Sequence, residues 1–159
     1  MNETLQKRAT DIREWNNSLE GKLHLEFVRT KDRRSILFRD FLEEFTALAP
    51  KITVNELEEQ ERGMPAIRMK ESWTFHMVPE KKQLDPFLGL LAAVTKGGSP
   101  GFSAELTKKL QEIRQPSLVE LFVSTLCSYC PVVMDRLSRF PMANPLVEVR
   151  VIDAMLFQE

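Results

Sequence analysis

The sequence has 159 residues and a formal net charge of −1, with 43% hydrophobic and 28% charged residues. This balance is typical of a globular protein with enough apolar surface for a core, and it offers no basic field that would favour nucleic acid or an anionic membrane. No apolar run approaches the roughly 20 residues that span a bilayer, and the N-terminus lacks the apolar core of a signal peptide. We therefore expect a cytoplasmic protein, in which a structural disulfide would not persist.

The first hundred residues predict strands and helices in a regular order. Apolar spacing and alternation predict a helix over 3–18, a strand over 22–30, a helix up to Leu48, a strand over 51–57, and a hairpin of 66–69 and 73–78. Asp32 is expected to cap the helix that ends at Leu48. Asp85 is expected to cap the next helix, with Pro86 at its first position, and this helix ends at Gly97-Gly98.

The second part of the chain begins like the first. After a linker at 99–101, the pattern predicts a helix capped by Ser103, a strand over 118–123 buried on both faces, a helix with Val132, Val133, Leu137 and Phe140 toward the core, a loop over 141–145 and a strand over 146–152. The order of elements therefore predicts a tandem repeat whose second copy stops early.

The two cysteines of the chain, Cys127 and Cys130, lie where the strand over 118–123 meets the following helix. The spacing Cys-x-x-Cys at a strand-to-helix joint is typical of a thiol–disulfide redox site. A free thiol has a pKa near about 8.5, only the thiolate attacks a disulfide, and a helix N-terminus favours the thiolate. We predict Cys127 as the attacking nucleophile and Cys130 as the resolving thiol, with Pro131 tolerated in the first turn.

The residues alone leave two other interpretations of the cysteine pair open. Zinc needs four ligands, and only His24 and His76, both in predicted strands of the first half, could complete the set, so we expect no metal. The other interpretation is an inert buried pair, although a strand-to-helix joint is where reactive pairs occur. The sequence has no Gly-x-Gly-x-x-Gly fingerprint, and we expect no bound flavin, nicotinamide or other cofactor.

A long stretch resembles a known family. Gly97-Gly98 and then Val119-Glu-Leu-Phe-Val-Ser-Thr-Leu-Cys-Ser-Tyr-Cys-Pro-Val-Val133 resemble the N-terminal domain of the alkyl hydroperoxide reductase flavoprotein subunit, and Val151 to Glu159 continues the match. Archaeal protein disulfide oxidoreductases are similar in architecture. The resemblance is specific over 87–159 and rests on element order over 1–86. It implies an α/β fold of two tandem thioredoxin-like units that share a sheet.

The resemblance divides the chain into a first unit, 1–98, without redox cysteines and a second, incomplete unit, 99–159, that carries the cysteine pair. In the first unit, 30–35 takes the place of the redox loop, and the Met64–Pro65 bond is expected to be cis. Asp85 aligns with an acidic neighbour of the thiols, although capping its helix is the simpler expectation. The family's second unit continues with a proline strand and further elements, so its absence up to residue 159 predicts exposed strand edges.

The predicted function is that of a thiol–disulfide oxidoreductase module, similar to a peroxiredoxin reductase, which acts through Cys127 and Cys130. The resemblance implies protein disulfide substrates such as a peroxiredoxin, and a flavin-dependent reductase as electron donor. Enzymatic activity then depends on whether the active unit is complete or is completed by a partner. The alternative is a non-catalytic thioredoxin-like interaction or dimerisation module, a homo-oligomer formed through the exposed strand edges.

Overall fold

The computed structural model describes residues 2–58 and 63–158. The helices of this part of the chain are α1 (Glu3–Lys7), α2 (Ala9–Ser18), α3 (Ser35–Leu48), α4 (Leu84–Lys96), α5 (Ala104–Gln111), α6 (Cys130–Leu137) and α7 (Phe140–Ala143). The strands are β1 (Leu23–Arg29), β2 (Ile52–Glu58), β3 (Ala66–Met69), β4 (Trp73–His76), β5 (Ser117–Val123) and β6 (Val147–Asp153). A short 3₁₀ turn at Lys81–Gln83 leads into α4.

The strands form one mixed sheet in the order β2-β1-β3-β4-β6-β5. In this sheet β1 pairs with β2 in parallel and with β3 antiparallel, whereas β5 pairs with β6 in parallel. The parallel pair of β4 and β6 joins the two groups of strands. One edge of β5 therefore carries no strand from residues 2–58 or 63–158.

The segments β1–α3–β2 and β5–α6–β6 repeat the same arrangement, and we call them the first and the second repeat. Their seven-residue strands pair in equivalent register, with Leu23 opposite Ile52 and Ser117 opposite Val147. The residue after each first strand also makes the same turn. The hydroxyl of Thr30 accepts the amide of Asp32, and that of Ser124 accepts the amide of Leu126, both at 3.2 Å. The predicted repetition is therefore confirmed in register and in hydrogen bonding.

A row of apolar side chains crosses the sheet and joins the two repeats. Its members, opposite one another on neighbouring strands, are Phe27, Ile67, Phe75, Val151 and Leu121. The first four are buried, and Leu121 packs against the same core cluster. Phe87 of α4 covers the row, with its ring 5.3 Å from that of Phe75. Burying each such side chain contributes about 1.5–3 kcal/mol, so the repeats stabilise each other through one core.

The predicted burial of β5 on both faces is wrong. The side chains of Leu118 and Phe122 are 47% and 61% exposed, whereas Val123 is buried. Since β5 ends the sheet and only one of its faces packs on the core, alternate side chains remain open to solvent. Within the described ranges, no helix combines the length and apolar character that crossing a bilayer requires.

The core-facing stripe of the helix after the cysteines also differs from the prediction. Val132 and Val133 are 59% and 39% exposed, and Met134 is buried instead. Because α6 begins at Cys130, the face that packs inward runs through Cys130, Met134 and Ser138, four residues apart. The expected loop over 141–145 is partly helical, since α7 starts at Phe140.

Two predicted helix caps are wrong. Asp32 lies three residues before α3, where its carboxylate accepts the amide of Arg34. Asp85 lies inside the first turn of α4, because the 3₁₀ turn starts the helix already at Leu84. In contrast, Ser103 caps α5 as predicted, with its hydroxyl accepting the amide of Leu106.

Two further differences concern the backbone. The helix predicted over 3–18 is broken at Arg8, whose side chain pairs with Asp11 at 2.6 Å and with Asp85 at 2.9 Å. The Met64–Pro65 bond is not cis, since the described residues contain no cis peptide bond. The trans form is the favoured form of such bonds by about 0.5–1 kcal/mol, and Pro65 leads in this form directly into β3.

Candidate redox site

Cys127 and Cys130 form a disulfide at the junction between β5 and α6. Cys127 lies in the turn after the strand, Cys130 is the first residue of the helix, and Pro131 is in the first helical turn. Their Cα atoms are 5.4 Å apart, within the usual range for a bonded pair. The predicted strand–cysteine–cysteine–helix arrangement is therefore present.

Backbone amides fix the position of Cys127. The N–H of Cys130 donates to the Sγ atom of Cys127 at 3.1 Å. The N–H of Cys127 donates to the carbonyl of Ser124, also at 3.1 Å, and this bond closes the turn before the helix. Because N–H groups at a helix N-terminus attract negative charge, the arrangement favours a thiolate at Cys127 after reduction.

The two cysteines differ in their surroundings. Both are half-buried, but Cys130 packs against the hydrophobic core, whereas Cys127 lies between exposed neighbours. Leu126 and Tyr129 are 77% and 81% exposed. Neither cysteine is enclosed, which contradicts the interpretation as an inert buried pair. The open surroundings of Cys127 suit an attacking thiol.

The two histidines have partners of their own. The Nδ1 atom of His24 lies 3.0 Å from the hydroxyl of Thr53, and that of His76 lies 3.0 Å from the carbonyl of Pro65. Burial lowers the pKa of His76 from its ordinary value, although the Pro65 carbonyl acts in the opposite direction. In the part of the chain that the structure describes, no group of three or more His, Cys, Asp or Glu side chains could hold a metal ion.

Gln83 is a functional candidate that no sequence pattern indicates. Its Nε2 atom donates to the carbonyl of Ser124 at 2.8 Å, and only 2% of the residue is exposed. By contrast, the carboxylate of Asp85 accepts a hydrogen bond from Arg8, and its role as an acidic neighbour of the thiols stays a prediction. No motif marks Gln83, since it reaches the redox turn through folding and not through sequence spacing.

Comparison with known proteins finds similar sequences. No protein-family model matches the sequence. The chain is 23% identical over 146 residues to the alkyl hydroperoxide reductase protein AhpF of Staphylococcus aureus, a match that covers 89% of this chain and 28% of the relative. The chain thus spans about 28% of the length of the curated relatives that it matches.

The similar solved structures match over most of their own length as well as over most of this chain. A structure of the alkylhydroperoxide reductase protein AhpF from Enterococcus faecalis superposes with a TM-score of 0.81 at 23% identity, covering 96% of this chain and 81% of that one. A protein disulfide oxidoreductase from Aeropyrum pernix gives a TM-score of 0.81 at 10% identity, covering 99% and 78%. The fold is therefore α/β and thioredoxin-like, and the resemblance predicted from the sequence is confirmed.

Proposed function

We propose that this chain is a thiol–disulfide oxidoreductase module that passes two electrons through Cys127 and Cys130. The observation that carries the proposal is the disulfide at the strand-to-helix junction, with the Cys130 amide directed at the sulfur of Cys127. The similarity to the alkyl hydroperoxide reductase protein AhpF and to a protein disulfide oxidoreductase supports the same chemistry. We also propose that Asp85 is an acidic neighbour of the thiols.

The proposed reaction needs only the two sulfur atoms and a disulfide substrate. In the reduced module, the Cys127 thiolate attacks one sulfur of the substrate, forms a mixed disulfide and releases the other substrate sulfur as a thiolate that takes a proton. The Cys130 thiolate then attacks the Sγ atom of Cys127 and releases the second substrate thiol. The substrate gains two electrons and two protons, and the Cys127–Cys130 disulfide forms again.

We propose protein disulfides, such as that of a peroxiredoxin, as acceptors, and a flavin-dependent reductase as the donor that reduces the Cys127–Cys130 disulfide. The exposed apolar residues near the disulfide support a protein as partner, because such a surface is suited to contact with another chain; these residues are Phe122, Leu126, Tyr129 and Val132. We also propose that the protein is cytoplasmic and that the chain consists of two units, 1–98 and 99–159.

A second candidate function is a non-catalytic interaction or dimerisation module. The observation that favours it is the edge of β5, which no strand of the described residues covers, beside the exposed side chains of Leu118 and Phe122. In the first repeat, the corresponding edge of β1 takes β3 as an antiparallel neighbour. A second copy of the chain could place its own strand at the open edge of β5 in the same way. This function predicts concentration-dependent dimers that Phe122→Glu abolishes.

The test of the first candidate uses the reduced chain and a small aromatic disulfide, whose reduction is followed by absorbance. The wild type should reduce one equivalent of the disulfide per chain, and Cys127→Ser should lose the reaction. Cys130→Ser should stop at a mixed disulfide on Cys127, visible by mass spectrometry. The control is Ser99→Ala, which changes an exposed residue outside the redox turn and should react like the wild type. Unchanged reduction by Cys127→Ser would refute the proposal.

A further inference from the structure

We propose that Gln83 is a positioning residue for the redox turn, acting on Cys127 through the carbonyl of Ser124. The inference deepens the proposed function and rests on it. Gln83 belongs to the 3₁₀ turn before α4, and it lies 41 positions before Ser124 in the sequence. Its side-chain amide is thus a direct link between a distant part of the fold and the turn that holds the nucleophile.

The carbonyl oxygen of Ser124 is held from two sides. It accepts the N–H of Cys127 at 3.1 Å and the Nε2 of Gln83 at 2.8 Å. A carbonyl oxygen has two lone pairs, and both are used here. The direction of this carbonyl sets the direction of the Cys127 amide, and with it the place of the sulfur relative to the Cys130 N–H.

The burial of Gln83 makes its side-chain amide costly for folding. The residue is 2% exposed, and its Oε1 atom is buried without a hydrogen-bond partner among the described residues. An unpaired buried amide oxygen opposes folding, so an apolar side chain of similar length would be tolerated at least as well. The carbonyl of Ser124 can only accept, which explains why the amide nitrogen faces the turn.

The first repeat shows what replaces Gln83 in the absence of cysteines. There the carbonyl of Thr30, equivalent to that of Ser124, accepts the hydroxyl of Ser35 at 3.1 Å. Ser35 begins α3, just as Cys130 begins α6. In the second repeat, the Cys130 sulfur takes the place of the Ser35 hydroxyl. Gln83, which lies outside the repeat, donates to the Ser124 carbonyl instead.

The experiment compares the wild type with Gln83→Met in the full chain after reduction. We expect iodoacetamide to alkylate Cys127 about 3- to 10-fold more slowly at pH 7 in Gln83→Met, and the pH profile of the rate to move to higher pH, because the sulfur loses its place beside the Cys130 amide. The urea midpoint should stay at or above that of the wild type. Gln83→Leu, which also has no group to donate to Ser124, should slow alkylation as well, and it provides the same comparison if Gln83→Met does not fold.

The matched control is Ser35→Ala, which removes the donor from the equivalent carbonyl of the first repeat. It should lower the urea midpoint and leave the alkylation rate of Cys127 unchanged. A wild-type rate and pH profile in both Gln83 variants would overturn the proposal, and so would a slower rate matched by an equal fall in stability. If wild-type Cys127 itself reacts no faster than glutathione at pH 7, the proposed function fails, and this result is separate from the comparison between variants.

Discussion

The two turns that lead into α3 and α6 start from the same framework and end with opposite properties. Each follows the first strand of its repeat, and each begins with a hydroxyl, from Thr30 or Ser124, that accepts an amide two residues later. The turn into α3 spans residues 30–34 and the turn into α6 spans 124–129, one residue more. The two turns therefore differ by one residue in length as well as in their side chains.

The contacts of a charged side chain, Arg34, hold the turn of the first repeat in place. Arg34 pairs with Asp32 at 2.6 Å, donates to the carbonyl of Leu156 at 2.7 Å and places its guanidinium 4.4 Å from the ring centre of Phe157. The hydrogen bond from Arg34 lowers the pKa of Asp32 from its ordinary value. This turn is thereby fixed against the segment that follows β6.

The turn of the second repeat contains the disulfide and open apolar side chains instead. A hydrogen bond from Gln83 to the carbonyl of Ser124 links this turn to a distant part of the protein. Leu126 and Tyr129 stand exposed on either side of Cys127. The strand–turn–helix framework thus sets the position of both turns, whereas the local side chains decide whether a turn is sealed or reactive.

The largest expected effect tests whether both turns depend on one folded core. Phe75 is fully buried on β4, between the two repeats, and contacts Phe87 of α4. Phe75→Ala should lower the free energy of unfolding by about 3–5 kcal/mol, measured by urea denaturation, with one transition for both repeats.

The control for Phe75→Ala is Phe122→Ala, at a side chain that is 61% exposed on β5. It should change the free energy of unfolding by less than about 0.5 kcal/mol. Two separate transitions in Phe75→Ala would contradict a common core and would make the two turns independent.

The features that could be predicted from the sequence are those that depend on the spacing of residues close together in the chain. Alternation and helical spacing indicated the strands, most helices and the repeat, and the cysteine spacing indicated the position of the disulfide. The exposure of Phe122 could not be predicted, because it follows from the place of β5 at the end of the sheet. Gln83 was missed for the same reason, since its bond to Ser124 joins distant segments. Asp85 looked like a cap because the preceding 3₁₀ turn, which starts α4 earlier, has no clear sequence signal.

A smaller effect is expected from opening the turn of the first repeat. Arg34→Met removes the pair with Asp32 and the hydrogen bond to the carbonyl of Leu156. We expect the free energy of unfolding to fall by about 1–2 kcal/mol, because the lost bonds are charged and partly shielded from water. The alkylation rate of Cys127 should not change, since the second turn has its own anchors. Arg33→Met, at an exposed neighbour, is the control and should cost less than about 0.5 kcal/mol. An equal loss in both variants would show that the contacts of Arg34 do not close the turn.

The smallest expected effect concerns His76, which lies beside the aromatic ring that packs on the turn of the first repeat. Its ring lies 6.4 Å from that of Phe157, which the Arg34 guanidinium also covers. Burial is the main cause that lowers the pKa of His76. Arg150 and Arg68 lower this pKa further, whereas the Pro65 carbonyl and Glu120 raise it. In the unfolded chain a histidine binds its proton below about pH 6.5, so between that value and the lower folded pKa the unfolded state holds more protons. The contribution of His76 to the free energy of unfolding should therefore be fully present above about pH 6.5. It should fall as the pH drops through this window, by at most about 1.4 kcal/mol per pH unit.

In His76→Gln the urea midpoint should stay level from pH 7 to pH 5, while the loss at lower pH, where Asp32 takes up its proton, should remain. The same decline between pH 7 and pH 5 in the wild type and in His76→Gln would assign the effect to other groups.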